Sequence, residues 1–381
     1  MNPIIHSYRA RRITGSLAIL IFFLVGMLET LSAFAVFQRA GDHAYFLALL
    51  NDANPDVLES GVELYDLKAK AVEFVFRAIA APARWLGAGE IGYLLWLRLL
   101  TLAGFLCAFE YVRRSIPTDQ STKNIEAARN RFMLLCLLYP GQLAWTASIL
   151  RDGPACALLF AAMFAWSLRH RGIAFVCLAL SLMLRPEFAI VVTVLVASVY
   201  LVTRFQLRTH RILLLLVACA LISTVLFEPR YAAIEFSQFA FGDTGSAYPI
   251  ITNPVDIGGY ALVFAQSLVE PMSITDPSSI SPFGIAEAVF FVWLVYSGLR
   301  RLSLVDTRAA GLFAGLFISM WLFAFFEIYV SGFSRHRLAL MFLMIALMSL
   351  TEPQRVGRRL RVKKQCTRLA RQSQPIEVQK F

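Results

Sequence analysis

Two long apolar runs, 132–168 and 173–203, are each interrupted by an ionic cluster beside a proline. The first interruption reads Arg151-Asp152-Gly153-Pro154 and the second Arg185-Pro186-Glu187. As single helices at ~1.5 Å per residue, the runs would be about 55 Å and about 46 Å long, well beyond a hydrocarbon core of ~30 Å. Each run is therefore predicted to fold back as a helical hairpin, with its one break at the turn. Short loops carrying Lys or Arg flank both runs, as in segments that face the cytoplasm. The clusters at the breaks then lie at or just below the opposite surface. Ionisable groups at membrane depth are costly and usually mark a site.

Composition supports a membrane protein. The chain is 58% hydrophobic and only 16% charged, with 31 Phe, which excludes an ordinary soluble domain and a disordered one. The net charge of +11 looks at first like a nucleic-acid signal, but its distribution argues against that partner. Nine basic residues lie in the tail Arg355–Lys380, most others lie in loops that read as cytoplasmic, and most acidic residues fall in the opposite loops. This is the positive-inside pattern, with the tail attracted to anionic head groups of membrane lipids. Cys107, Cys136, Cys156, Cys177 and Cys219 sit in apolar runs and Cys366 in the basic tail. None has metal-ligand spacing, and they read as small buried residues.

Arg9, Arg11 and Arg12 precede the apolar run 13–37, which is longer than a cleaved signal core and reads as a retained first helix. Alternation then gives an all-α polytopic bundle of about ten transmembrane helices with both termini inside, in the inner (plasma) membrane. Residues 1–351 form one multispanning domain and 352–381 a basic cytoplasmic tail. The helices are expected near 13–37, 90–112, 132–150, 153–168, 173–184, 188–203, 212–227, 283–299, 309–330 and 338–351. The two large outer loops are 38–89 and 228–282. Within the first, 62–86 is amphipathic, with Phe74, Val75, Ile79 and Leu86 set against Lys68, Lys70, Glu73 and Arg77, and is expected to lie along the membrane surface. Arg98 falls inside the second helix and needs a partner or a water-lined face.

Four outer features converge if the helices bundle: Asp42-His43, Arg151-Asp152, Arg185 with Glu187, and Arg335-His336-Arg337. Arginine presents a permanently charged planar fork suited to phosphate oxygens. A carboxylate beside a bound lipid phosphate can act as general base on an acceptor hydroxyl while the cations stabilise the departing phosphate. Asp42, Asp152 and Glu187 are the candidate catalytic carboxylates. His43, Arg151, Arg185, Arg335, His336 and Arg337 are the candidate substrate-binding residues. Each also has an ordinary structural reading. Arg151 and Asp152 can cap helix ends or pair with each other, and Glu187 can pair with Arg185. Arg335 and Arg337 can snorkel to outer head groups. Asp42 can be a solvated loop carboxylate, and either histidine can be structural. Glu29 and Glu327, near helix ends, can be pairing partners or proton-handling groups. No cofactor is expected. The adjacency of Asp42 and His43 is where a divalent cation could be held.

Three stretches resemble the GT-C superfamily of membrane glycosyltransferases, which use polyprenyl-phosphate-linked sugars. Gly41-Asp42-His43-Ala44-Tyr45-Phe46-Leu47-Ala48 resembles the first-outer-loop segment in which that superfamily keeps its catalytic acid. Trp145-Thr146-Ala147-Ser148-Ile149-Leu150-Arg151-Asp152 resembles the tryptophan–serine–basic–acidic turn of many bacterial members. Ser334-Arg335-His336-Arg337-Leu338 resembles the basic motif that opens their late helix. Many members pair two acids in the first loop, whereas His43 follows Asp42 here. The resemblance implies sugar transfer from a polyprenyl-phosphate donor to a cell-envelope glycan or lipid acceptor on the outer face. Two further readings stay open: a surface-polysaccharide polymerase joining undecaprenyl-linked repeat units, and a transporter or flippase. A transporter would show charges deep in the bundle or an inverted repeat.

Overall fold

The computed structural model describes residues 3–36, 41–51, 63–116, 122–146, 149–207, 211–212, 265–266, 268–269, 280–302, 305–326 and 337–351. All secondary structure among them is helical, with no strand. The helices are α1 (Pro3–Val36), α2 (Gly41–Leu50), α3 (Glu63–Trp85), α4 (Glu90–Ser115), α5 (Thr122–Leu138), α6 (Pro140–Thr146), α7 (Asp152–Ser167), α8 (Arg171–Leu184), α9 (Phe188–Arg204), α10 (Pro282–Arg301), α11 (Thr307–Phe326) and α12 (Leu338–Thr351). The expected helix 212–227, most of the second outer loop and the basic tail lie outside the described residues.

Three segments, Gly15–Phe34, Glu90–Ser115 and Pro282–Arg301, are long and apolar enough to cross a membrane. Their ends carry the expected signals. Glu90 opens α4 and Arg113 and Arg114 close it, each sign complementing the helix dipole. Ser281 caps α10 by accepting a hydrogen bond from the Gly284 amide at 3.0 Å, Pro282 follows in the first turn, and Arg300 and Arg301 end the helix. Other apolar helices are shorter, among them Asp152–Ser167, Arg171–Leu184, Phe188–Arg204 and Leu338–Thr351.

The core surrounds α12. Every residue from 337 to 351 is buried, as expected of a short helix that is apolar all round. Phe105 of α4 stacks on Phe342 with ring centroids 3.6 Å apart. Tyr139, between α5 and α6, meets the same ring edge-on at 5.9 Å. From α10, Gly298 faces Met344, Phe313 and Phe317, so α10, α11 and α12 meet there. Arg301 ties the far end by donating to the Met348 carbonyl at 2.6 Å.

Small residues set the closest helix pairs. A Cβ on Gly104 of α4 would stand 2.5 Å from the Ala157 Cα of α7. Gly311 and Gly315 of α11 do the same against α9, where added Cβ atoms would stand 2.9 Å from Val199 Cα and 3.0 Å from Leu195 Cα. This Gly-x-x-x-Gly spacing lets two apolar helices approach backbone to backbone.

Several expectations are corrected. The run 132–168 breaks twice, because Pro140 begins α6 after α5 has ended at Leu138; a proline lacks the amide needed to continue the preceding helix but suits a first turn. The run 173–203 does divide at Arg185–Glu187. Its halves do not form a packed hairpin, however: α8 lies against α7, and α9 lies against α11. The stretch 62–86 does not lie alone along a surface. As α3 it packs against α2, α4 and α8, burying Val72, Val75, Phe76, Ala80 and Ala83 and leaving Phe74 and Leu86 exposed. The buried set repeats at three and four residues, a stripe rotated from the one read in the sequence. The Trp96 indole of α4 donates to the Ile79 carbonyl at 2.8 Å, in the turn before Pro82.

Candidate functional site

The two ionic breaks meet in space. Pro186 restricts the residue before it to extended backbone, and Arg185 has φ −144° and ψ 84° where α8 ends. Its side chain reaches Asp152, the first residue of α7, and the two form an ion pair buried on both sides. Asp152 also sits at the helix N-terminus, where the dipole favours a negative charge. One turn deeper, the Ser181 hydroxyl of α8 donates to the Ala155 carbonyl of α7 at 2.9 Å and holds the helices in register. Gly153 lets α4 close on the same level, since a Cβ there would stand 2.5 Å from Thr101 Oγ1. Arg151 directly precedes α7 and Glu187 directly precedes α9, both half-buried beside the pair in sequence.

Helices α2 and α3 supply the neighbouring wall. The Tyr45 hydroxyl donates to Glu73 Oε1 at 2.8 Å. Burial and then this hydrogen bond push the Tyr45 hydroxyl up to about 12, against the opposing pull of the Arg151 and Arg77 guanidinium charges. Arg151 is therefore near enough to act electrostatically on α2. Asp42 and His43 stand in the first turn of that helix, one turn before Tyr45. Their side chains, and all of Arg335 and His336, lie outside the described residues.

A second polar layer crosses the bundle through α6. The Arg337 guanidinium pairs with Glu287 Oε1 at 3.0 Å, both side chains fully buried. It also lies 4.1 Å from the centre of the Phe291 ring, a cation–π contact. The Tyr139 hydroxyl donates to the same Glu287 oxygen at 3.3 Å. Gly141 makes the space, because a Cβ there would stand 2.5 Å from the Tyr139 oxygen and 2.6 Å from Glu287 Oε1. The next residue, Gln142, donates to Glu29 Oε2 at 3.2 Å. Arg98 lies 3.8 Å from that carboxylate and donates from Nε to the Gly26 carbonyl at 3.3 Å. The partner that Arg98 needs is thus Glu29.

Among the sequence candidates, Arg185 and Asp152 come together, with Arg151 and Glu187 next to them in the chain. Arg337 instead joins Glu287, which was not among the candidates; nor were Tyr139 and Gln142, while Tyr45, Glu73 and Arg77 stood in the sequence only as parts of the 41–48 segment and the amphipathic stretch. A signal existed for two of these: Glu287 is a carboxylate inside an apolar run, and Gln142 follows the Pro140-Gly141 break. Glu327 lies outside the described residues. Among the described residues no cluster of His, Cys, Asp and Glu could hold a metal ion, and Cys107, Cys136, Cys156 and Cys177 are free thiols. In comparisons with known proteins, no family model matches this chain, and no curated protein or solved structure matches it significantly.

Proposed function

We propose that this protein is a multispanning glycosyltransferase of the inner (plasma) membrane, with about ten spans and both termini in the cytoplasm. It transfers a sugar from a polyprenyl-phosphate donor to a cell-envelope glycan or lipid acceptor on the outer face. One observation carries the reading. The buried Asp152–Arg185 ion pair brings the two ionic breaks to one place, with Arg151 and Glu187 beside it in the chain, which supports a single cationic site built from both breaks. In this reading Asp42 takes the proton of the acceptor hydroxyl, and the acceptor oxygen bonds to the anomeric carbon. The bond from that carbon to the phosphate oxygen breaks, and polyprenyl phosphate leaves with the electron pair. Arg151, Arg335 and His336 face the phosphate, with His43 beside Asp42. Arg185 and Arg337, each already set against a carboxylate, position the elements that carry them. Asp152 is engaged by Arg185, which makes it a poorer base than Asp42 and leaves Glu187 as the other candidate. The test is sugar transfer by the purified protein in nanodiscs, with a polyprenyl-phosphate sugar as donor. An undecaprenyl-diphosphate repeat unit used instead as substrate distinguishes the polymerase, which would join units rather than transfer single sugars.

A transporter or flippase is the second reading, favoured by the two ion pairs inside the bundle, Arg98–Glu29 and Arg337–Glu287. Movement of a labelled lipid-linked sugar across proteoliposomes, without a new glycosidic bond, would establish it in place of transfer.

A further inference from the structure

We infer that the opposite end of α7, α8 and α9 holds a site for one anionic phospholipid of the cytoplasmic leaflet. A groove of about 350 Å³ opens there between α4, α7, α8 and α9, lined by Tyr111, Ala162, Trp166, Ala174, Phe175 and Val196 among others. Its volume falls at the small end of the range for ligand sites. The lining is almost wholly apolar, and Trp166, Phe175 and Val196 on its rim are exposed. Such a groove suits an acyl chain.

Charge selects the head group. The exposed turn Arg169-His170-Arg171 connects the lining residues Trp166 and Ala174. The Arg169 amide donates to the Trp166 carbonyl at 3.0 Å, and the Ala174 amide donates to the His170 carbonyl at 3.0 Å, both Trp166 and Ala174 being lining residues. Arg114, at the same end of α4, lies 5.6 Å from the centre of the Phe164 ring. The nearby carboxylate Glu110 is taken by Arg113 at 2.6 Å, so Arg114, Arg169 and Arg171 bring positive charge to the mouth of the groove. Arg169 holds φ +66°, a conformation that favours glycine and costs other residues about 1 kcal/mol. The His170 amide donates to the Ala165 carbonyl at 3.0 Å, so Arg169 is the left-handed residue that ends α7, and the turn is followed at once by a second exposed arginine, Arg171. An apolar groove with a basic mouth on the positive side of the membrane fits an anionic phospholipid. This rests on the orientation of the bundle and not on the transfer chemistry.

Trp166 is a built-in reporter. The full chain is placed in phosphatidylcholine nanodiscs containing a minor share of either phosphatidylglycerol or phosphatidylcholine brominated on its acyl chain. Subtracting the signal of Trp166→Phe isolates quenching of Trp166 from the other tryptophans. Brominated phosphatidylglycerol is expected to quench Trp166 more strongly, and its preference to fall about fivefold with each of Arg169→Gln and Arg171→Gln, from the usual contribution of one arginine near an anionic surface. Ala162→Phe, which fills the groove, is expected to abolish the excess of phosphatidylglycerol quenching over phosphatidylcholine quenching. Equal quenching of wild-type Trp166 by the two lipids would overturn the site without reference to any further variant. So would an excess that survives both arginine substitutions. The readout uses no sugar donor, so it stands or falls separately from glycosyl transfer.

Discussion

Arg185 and Asp152, 33 residues apart in sequence, form one buried ion pair at the junction of α7 with the α8–α9 turn. A proline follows Arg185 and a helix begins at Asp152, so each charge is held on a rigid end rather than on a loop. The pair joins the breaks of both apolar runs. It is also the level at which Ser181, Ala155, Thr101 and Gly153 bring α4, α7 and α8 together.

Breaking that pair from one side leaves an unneutralised buried charge. Asp152→Asn or Arg185→Gln is expected to destabilise the fold by about 3–5 kcal/mol. The double variant should recover much of the loss, because it strands neither charge. Denaturation of the four proteins in detergent gives the cycle. Additive losses would mean that the two side chains act independently.

The glycines make a second, purely steric prediction. Gly141→Ala places a methyl group against the Tyr139 hydroxyl and Glu287, and Gly311→Ala places one against the Val199 backbone. Both should lower stability by about 1–3 kcal/mol, the usual range for overpacking. Gly172→Ala is the control. It lies in α8 with open space around its Cβ position, so it should stabilise the helix by about 0.5–1 kcal/mol. Thermal unfolding in one detergent ranks all three.

Much of the helix order was legible in the chain because prolines, glycines and charges punctuate it: the ends of α4, α8, α9 and α10 fall within a few residues of their sequence positions. The break at Pro140 was equally visible but was outweighed by the ionic cluster at 151–154. The packing was less legible. A periodic apolar face says that a helix buries a stripe without saying against what, so α3 was placed on a membrane surface and α8 against α9. Partner choice was harder still. Arg185 had Glu187 two residues away, yet its side chain forms a buried ion pair with Asp152, 33 residues earlier at the start of α7. Glu287 showed only as a carboxylate inside an apolar run, with nothing in the sequence to pair it with Arg337.

Tyr45 sets a pH window. Its hydroxyl is raised from an ordinary value of 10.0 to about 12 in the folded protein. The protonated form is the one the fold favours, so its contribution to stability is complete below pH 10 and is lost as pH rises from 10 through about 12. The stability difference between wild type and Tyr45→Phe should therefore be constant below pH 10 and shrink above it. A difference that grows in that interval would mean that the Tyr45–Glu73 hydrogen bond is not made by a neutral tyrosine.

Topology offers an independent check on the proposed orientation. The basic turns at 113–114, 169–171, 204–211 and 300–308 should all face one side. Single cysteines introduced near Asp243 in an otherwise cysteine-free chain should react with an impermeant reagent added from outside the cell. Those near Arg308 should react only after the membrane is opened. Labelling in the reverse sense would turn the bundle over and put the Asp152–Arg185 pair on the cytoplasmic side.

Asp42 carries the most specific prediction of the transfer chemistry. Asp42→Asn keeps the size and most of the hydrogen bonding of the side chain but cannot take a proton at neutral pH. General-base contributions are typically ~10²–10⁴-fold, and turnover with a polyprenyl-phosphate sugar should fall by about that much. Donor binding should barely change, since the lost interaction belongs to the acceptor proton in the transition state. Arg151→Gln or Arg335→Gln should behave differently and weaken donor binding as well as turnover, because a charge facing phosphate acts in both states. Unfolding of each variant in detergent, measured alongside, is the control for a folded site. Measuring turnover and donor affinity of the purified variants in nanodiscs separates these roles. If Asp42→Asn transfers sugar at nearly the wild-type rate, Asp42 is not the base, and Glu187, beside the same pair, is the next carboxylate to replace.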